Sequence, residues 1–481
     1  MAGFARSRAG LALGILLLAL LLRGGDFGNP VIHVDEQFYL LVGERMHEGL
    51  LPYLDIWDRK PVGLFLLYAA ITALPGDGVL AYQVVATLFA AATALAVAIG
   101  AGRLGASRRG MWAAAAATLL WTSLLGGRGG QAPVFYNLPV VLAALLTLRL
   151  PSLTSGRAVL LNGVAACLLA GLAIQVKYLP AIEGAWFGLA HLWFARRHLR
   201  VAGAAAAALL WIGAGLLPTV LALGWYAALG RHALDAYWFA NFGSILSRPG
   251  YPAEQLAMRL LGIVAQLSPL IVSASLAWRW RVRGARAVIA FGWLGAAVLG
   301  FFAIGTFFDH YALPLVPPLA MIAGRAFGRS GRAAVASLGL AAMLFAVERT
   351  VARDDATGAR AVARVVAANS AGGCPYVFIG DTITYTLARA CLPTPYVFPN
   401  LLAYTTEQGA TGIDEAAEVR RILAHRPPVI VTSDRKLDIW NRASLAAVNG
   451  AIARNYRLVF SAPRSNYRTL VYLRRDLPLR D

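Results

Sequence analysis

Long apolar runs separated by short links are the feature that most constrains this chain. Eleven runs are long enough to cross a bilayer, or nearly so: about 9–22, 79–100, 110–125, 134–148, 158–174, 178–195, 201–229, 256–277, 287–304, 311–327 and 333–347. A span needs about 20 residues, so the shorter runs borrow flanking residues or sit inside a bundle. Lipid offers no partner for a bare N–H or C=O, so each run is read as a helix. The stretch 62–74 is apolar but too short to cross alone, and it reads as interfacial. The expected fold class is a polytopic α-helical membrane protein of about 11 transmembrane helices.

The charges in the links order these runs. With the N-terminus placed in the cytoplasm, the links on that side carry 17 Arg and no Asp or Glu. They are Arg6 and Arg8; Arg103, Arg108 and Arg109; Arg149 and Arg157; Arg196, Arg197 and Arg200; Arg279, Arg281, Arg283 and Arg286; and Arg325, Arg329 and Arg332. The opposite side and the helices hold all 12 acids of residues 1–347 and 9 Lys+Arg. This separation follows the positive-inside rule, and a miscount by one would scramble it. An odd number of crossings then places 348–481 outside the cytoplasm. The first run has Arg6 and Arg8 ahead of it but no A-x-A-like site behind it, so it reads as a retained helix. The expected location is a membrane crossed many times, with the C-terminal part extracytoplasmic.

Composition excludes the other classes. The chain has 481 residues, 58% hydrophobic and only 14% charged, with mean hydropathy +0.61. Soluble domains are roughly a quarter charged, so several water-soluble cores are ruled out. The net charge of +20 would suit a nucleic-acid binder. Its excess lies in the links, however, where it sets topology, and no nucleic-acid partner is expected. The tail 348–481 has ordinary soluble composition, with 18 Lys+Arg and 12 acids. Apolar β-type runs (Tyr376–Ile379, Pro428–Thr432, Tyr456–Phe460, Thr469–Leu473) alternate there with helical patterns at Glu415–His425 and Ala443–Ala453, as in a small α/β domain. The expected domains are therefore 1–347, with an exported loop 24–78, and 348–481. Cys374 and Cys391 fall in the exported tail, where a disulfide can persist, and two buried thiols are the alternative. Cys167, in a membrane run, reads as a packing residue.

The exported loop 24–78 holds eight of the 12 acids of the membrane part. It contains the pair Asp35-Glu36, then a helical pattern closed by Gly49, then Pro52-Tyr53-Leu54-Asp55, and then Trp57-Asp58-Arg59-Lys60-Pro61. Adjacent carboxylates repel, so one can act as a base while the other orients a hydroxyl or binds a cation. The plainer alternative is a helix first turn, where acids favour the dipole. Lysine is scarce, with 3 of the 44 basic residues. Lys60 and Lys177 both fall on the exported side, where each can hold a lipid phosphate as a compact charge or snorkel at the interface. Asp58 and Arg59 immediately precede Lys60 and are substrate-binding candidates. The short link Asp309-His310-Tyr311 can bind substrate or serve as a polar cap. No His-x-x-His or Cys-x-x-Cys spacing occurs, so no metal site is assigned, although a divalent ion fits acidic chemistry. No nucleotide-binding glycine loop is present, and no cofactor is expected.

Together these pieces resemble the GT-C superfamily of integral-membrane glycosyltransferases. Its bacterial branch includes protein O-mannosyltransferase-like enzymes, the aminoarabinose transferase of lipid A and rhizobial galacturonosyltransferases. The resemblance is carried by Asp35-Glu36 after the first helix, Gly49-x-x-Pro52-Tyr53-x-Asp55, Lys60-Pro61, and His310-Tyr311-x-x-Pro314. It implies transfer of a sugar from a polyprenyl-phosphate donor to a hydroxyl or phosphate of an envelope glycan, lipid or protein acceptor at the periplasmic face of a bacterial-type inner membrane. Asp35 matches the family's proposed base or site organiser, with Glu36 supporting it. Lys60 matches the Lys of a Lys-Pro-Pro motif, from which this chain departs at Val62. Lys177 and His310-Tyr311 match donor-cavity positions. One base activating the attacking oxygen leads to an expectation of inversion. A transporter or lipid-linked-sugar flippase is the alternative. It would place ionisable residues mid-membrane, where Glu183 is the main example, and often shows a two-fold repeat, which is not evident here.

Overall fold

In the computed structural model a helix covers each of the eleven apolar runs. The described residues are 8–279, 284–351, 355–464 and 466–480. Arg6, Arg281 and Arg283 of the arginine-rich links lie outside them, as do the side chains of Arg8 and Arg279. Among the described residues, eight helices are long and apolar enough to cross a membrane. Three others, Arg108–Leu124, Pro180–Ala195 and Val316–Arg329, have 17, 16 and 14 residues. The last is short because the residues before it, Asp309–Leu315, form a 3-10 turn around Pro314, which cannot donate to a helix ladder. The stretch 62–74, too short to cross alone, contains the helix Val62–Thr72.

The chain divides into two compact units. The first comprises Met1–Phe27, Gln83–Ala222 and Pro252–Arg349. Its core packs Trp121, Phe187, Trp293, Leu319 and Met321. Small residues let helix backbones meet: a Cβ on Gly110 would stand 2.1 Å from the Gly324 carbonyl oxygen, so the Arg108–Leu124 and Val316–Arg329 helices pack only with glycine there. Arg23, wholly buried, ends the first helix. It donates to Thr87 Oγ1 and to the carbonyls of Gly127 and Gly129, fastening the Gly126–Gly130 loop.

The second unit comprises Gly28–Tyr82, Leu223–Tyr251 and Thr350–Asp481. Its tail portion carries a four-stranded sheet of β1 (Tyr376–Val377), β2 (Val429–Ser433), β3 (Tyr456–Arg464) and β4 (Tyr467–Arg474). The order is β1-β2-β4-β3, with β1 and β2 parallel and the remaining pairs antiparallel. All four strands fall on the β-type runs read from the sequence, and both anticipated helices form, at Glu415–Ala424 and Arg442–Asn455. Asp414 and Asn441 cap them through side-chain oxygens. Cys374 and Cys391 are bonded, with Cα atoms 5.0 Å apart, which resolves the open question of their state. The helix Ala356–Asn369 and the short helix Ile383–Leu387 carry no clear sequence signal and pack against each other.

Candidate functional site

The sequence-derived site residues fall into two sets, one within each unit. In the second unit the helix Val34–His47 presents Asp35 and Glu36 in its first turn. His33 caps it, the Asp35 amide donating to His33 Nδ1 at 3.3 Å, and the two acids complement the positive end of the helix. Gly49, at φ +90°, turns the chain out. Its N–H donates to the Met46 carbonyl and that of Leu50 to Arg45. This helix approaches Val62–Thr72 closely: a Cβ on Gly43 would lie 2.7 Å from the Tyr68 carbonyl carbon. Around the contact stand Phe38, Tyr39, Phe65, Tyr68 and Tyr82 in edge-on or tilted pairs. Glu36 is fully buried and Asp35 partly so.

Asp58, Arg59 and Lys60 are consecutive but diverge. Lys60 Nζ meets Asp58 Oδ2 at 2.9 Å and Oδ1 at 3.2 Å, and lies 5.2 Å from the centre of the Tyr39 ring. Lysine, carboxylate and aromatic face thus share one place. Arg59 turns the other way, to Glu407 at 2.6 Å, and Arg248 reaches the second oxygen of the same carboxylate at 2.5 Å. Arg59, itself a substrate-binding candidate, is thus held by Glu407 while Lys60 is held by Asp58. Two guanidiniums share the buried Glu407 carboxylate, and the group keeps one net positive charge.

Tyr53 has φ +71°, a left-handed conformation that a tyrosine adopts only under constraint. In that position its hydroxyl donates to the Lys60 carbonyl at 2.6 Å. Its ring packs on Tyr226 and Tyr237, both at 5.4 Å between centroids, and Tyr226 donates to the Pro52 carbonyl. That hydrogen bond and the ring packing hold the backbone that carries Lys60 and offset the strain at Tyr53.

The tail portion of the same unit grips this region at several points. Arg45 donates to the Ala390 carbonyl at 2.6 Å, and the Trp57 amide to the Pro395 carbonyl at 2.9 Å. Gln37 Nε2 donates to Asp381 Oδ1 at 3.0 Å, and the Ile383 amide to Gln37 Oε1 at 3.3 Å. Arg464 donates to both Asp381 oxygens, to Asp355 at 2.6 Å and to the Val31 carbonyl at 3.2 Å. Burial alone lowers the Arg464 pKa, but the charge and hydrogen bonds of Asp381, with Asp355, hold it above the ordinary arginine value.

In the first unit, Lys177 comes to Tyr311, its Nζ 3.9 Å from the ring centre. His310 is buried, tilted on Tyr311 at 4.4 Å and stacked on Phe308 at 5.9 Å. Asp309 is exposed. Arg259 lies 4.0 Å over the Phe308 ring and donates to the Thr306 carbonyl. Lys177 and His310-Tyr311, 134 residues apart in sequence, thus form one basic and aromatic cluster. Arg259, Gln37, Asp381, Glu407 and Arg464 escape sequence reading because nothing local marks them. Only Tyr53 carried a signal, lying inside the Pro-Tyr-x-Asp stretch.

These features define a class: a polytopic helical membrane protein with a small C-terminal α/β portion and a loop rich in acids. No family model matches the sequence, and no curated protein matches it. Solved structures do share its fold. ArnT from Cupriavidus metallidurans in the apo state superposes with TM-score 0.65 over 98% of both chains at 14% identity. The same protein bound to undecaprenyl phosphate gives TM-score 0.63 over 98% of both chains at 15% identity. The chain therefore has an ArnT-like fold, in agreement with the layout implied by the GT-C resemblance.

Proposed function

We propose that this protein is a glycosyltransferase that takes a sugar from a polyprenyl-phosphate donor and attaches it to a hydroxyl or phosphate of an envelope glycan, lipid or protein. The observation that carries this reading is the lysine–carboxylate–aromatic arrangement of Lys60, Asp58 and Tyr39 in the same unit as the acidic pair Asp35-Glu36. An ArnT-like fold, one of whose solved forms holds undecaprenyl phosphate, supports the donor class. The bacterial inner membrane, with 24–78 and 348–481 on the periplasmic side, is supported by the one-sided arginine distribution and by the Cys374–Cys391 bond.

In this reading Asp35 accepts the proton of the acceptor O–H, and Glu36 supports its placement. The freed oxygen attacks the anomeric carbon as the bond to the donor phosphate breaks, with inversion. The lipid phosphate leaves as an anion, and Lys60 holds it by charge-assisted hydrogen bonding. Lys177 with Tyr311 and His310 serves the donor as well, while Asp58 and Asp309 contact substrate. Arg59, held by Glu407, is a further substrate-binding residue in this reading. The reaction asks for no organic cofactor, and a divalent ion is compatible with its acidic chemistry without being required.

Membranes containing the protein should transfer radiolabel from a polyprenyl-phosphate sugar to envelope material in the absence of nucleotide sugar. Movement of intact donor between leaflets, with no new glycoside formed, would instead mark a flippase.

Tyr53→Phe removes one hydrogen bond, worth about 1 kcal/mol, from the backbone that carries Lys60. The expected result is a donor KM raised about three- to ten-fold with kcat within about two-fold of wild type, measured by initial rates across donor concentrations.

A further inference from the structure

The sequence reads 1–347 and 348–481 as two domains; within the second unit, residues of both meet, among other places, in a polar chain of Gln37, Asp381 and Arg464. Asp381 Oδ1 accepts from both Gln37 and Arg464. Gln37 follows Glu36 directly and is wholly buried, as Glu36 is. Arg464 also takes the carbonyl of Val31, two residues before the cap His33. The first turn of Val34–His47 is thus held from both sides, by Val31 before it and Gln37 within it. Both holds end on one guanidinium of β3.

We propose that Gln37, Asp381 and Arg464 are positioning residues, through which the C-terminal portion sets the direction of Asp35 and Glu36. The inference rests on the reading of Asp35 and Glu36 as the acid pair of the transferase. The helix first turn can rotate or fray, since its amides lack intrahelical acceptors. A bidentate arginine fixes a carboxylate's orientation, not only its place. Gln37 passes that orientation to the helix with both ends of its amide engaged, the Nε2 to Asp381 and the Oε1 to the Ile383 amide. The tail portion is then a brace for chemistry residing more than 340 residues earlier in the sequence.

Gln37→Leu keeps side-chain bulk and leaves the Arg464–Asp381 pair intact. Its kcat is expected to fall about ten- to a hundred-fold, with donor KM within about two-fold, per mole of monodisperse protein in detergent. Arg464→Lys is expected to retain more of kcat than Arg464→Gln. A tail with a merely structural role would lower the yield of folded protein and leave kcat per folded molecule unchanged. In an independent arm, Glu36→Cys is titrated with a maleimide with and without Gln37→Leu, and the added substitution should speed labelling about ten-fold. Wild-type kcat in well-folded Gln37→Leu, or unaltered labelling, overturns the proposal. If the wild-type protein transfers no sugar, the functional reading fails, and the labelling arm alone decides whether the brace exists.

Discussion

Asp35→Asn lowers sugar transfer about a thousand-fold, while the protein keeps its yield and its elution profile in detergent. A positioned general base contributes about a hundred- to ten-thousand-fold to a rate, and an amide cannot accept the acceptor's proton. Asparagine has nearly the same shape and remains favourable in a helix first turn, so the His33 cap, in which the backbone amide of residue 35 donates, survives the change. Glu36→Gln should cost less, because Glu36 is fully buried and acts by supporting its neighbour. Initial rates with a radiolabelled polyprenyl-phosphate sugar decide the matter. Full transfer by Asp35→Asn removes Asp35 from the chemistry.

Lys60→Ala raises the donor KM about ten-fold. A hydrogen bond to a charged group is worth about 1.5–3 kcal/mol, and each 1.4 kcal/mol is a factor of ten. The lysine now pairs with Asp58, so an incoming phosphate must share it, which keeps the net gain at the lower end of that range. The same substitution leaves Asp58 buried beside an empty place, so some loss of stability accompanies it. Lys60→Arg separates the two effects. It restores a partner for Asp58 but presents a flat fork in place of a compact charge, so folding recovers fully and donor affinity only in part. Equal activity of wild type and Lys60→Ala at low donor concentration would exclude Lys60 from phosphate binding.

The membrane layout was legible because lipid permits so few solutions. A run of apolar residues with no water to satisfy its backbone must be helical, and helices stand over all eleven runs. The tail's strands were legible for a related reason: Val429–Ser433 and Tyr467–Arg474 combine β-branched and aromatic residues with turn residues at their ends. Helix lengths were less so. Val316–Arg329 is shorter than its apolar run because Pro314 interrupts the ladder, a local effect that hydropathy averages away.

Of the site, the sequence by itself marked Asp35, Glu36, Lys60, Lys177 and His310-Tyr311, because charge in an otherwise apolar chain stands out and local spacing is visible along one strand of text. The directions of those side chains were decided by tertiary structure alone. Asp58 pairs with Lys60 while Arg59 turns to Glu407, although the three are neighbours in sequence. Lys177 reaches Tyr311, and Arg464 clamps Asp381 and Val31, across separations that no local pattern encodes. The physical reason is that a hydrogen bond or an ion pair depends on distance in space, and folding alone brings residues hundreds of positions apart within 3 Å.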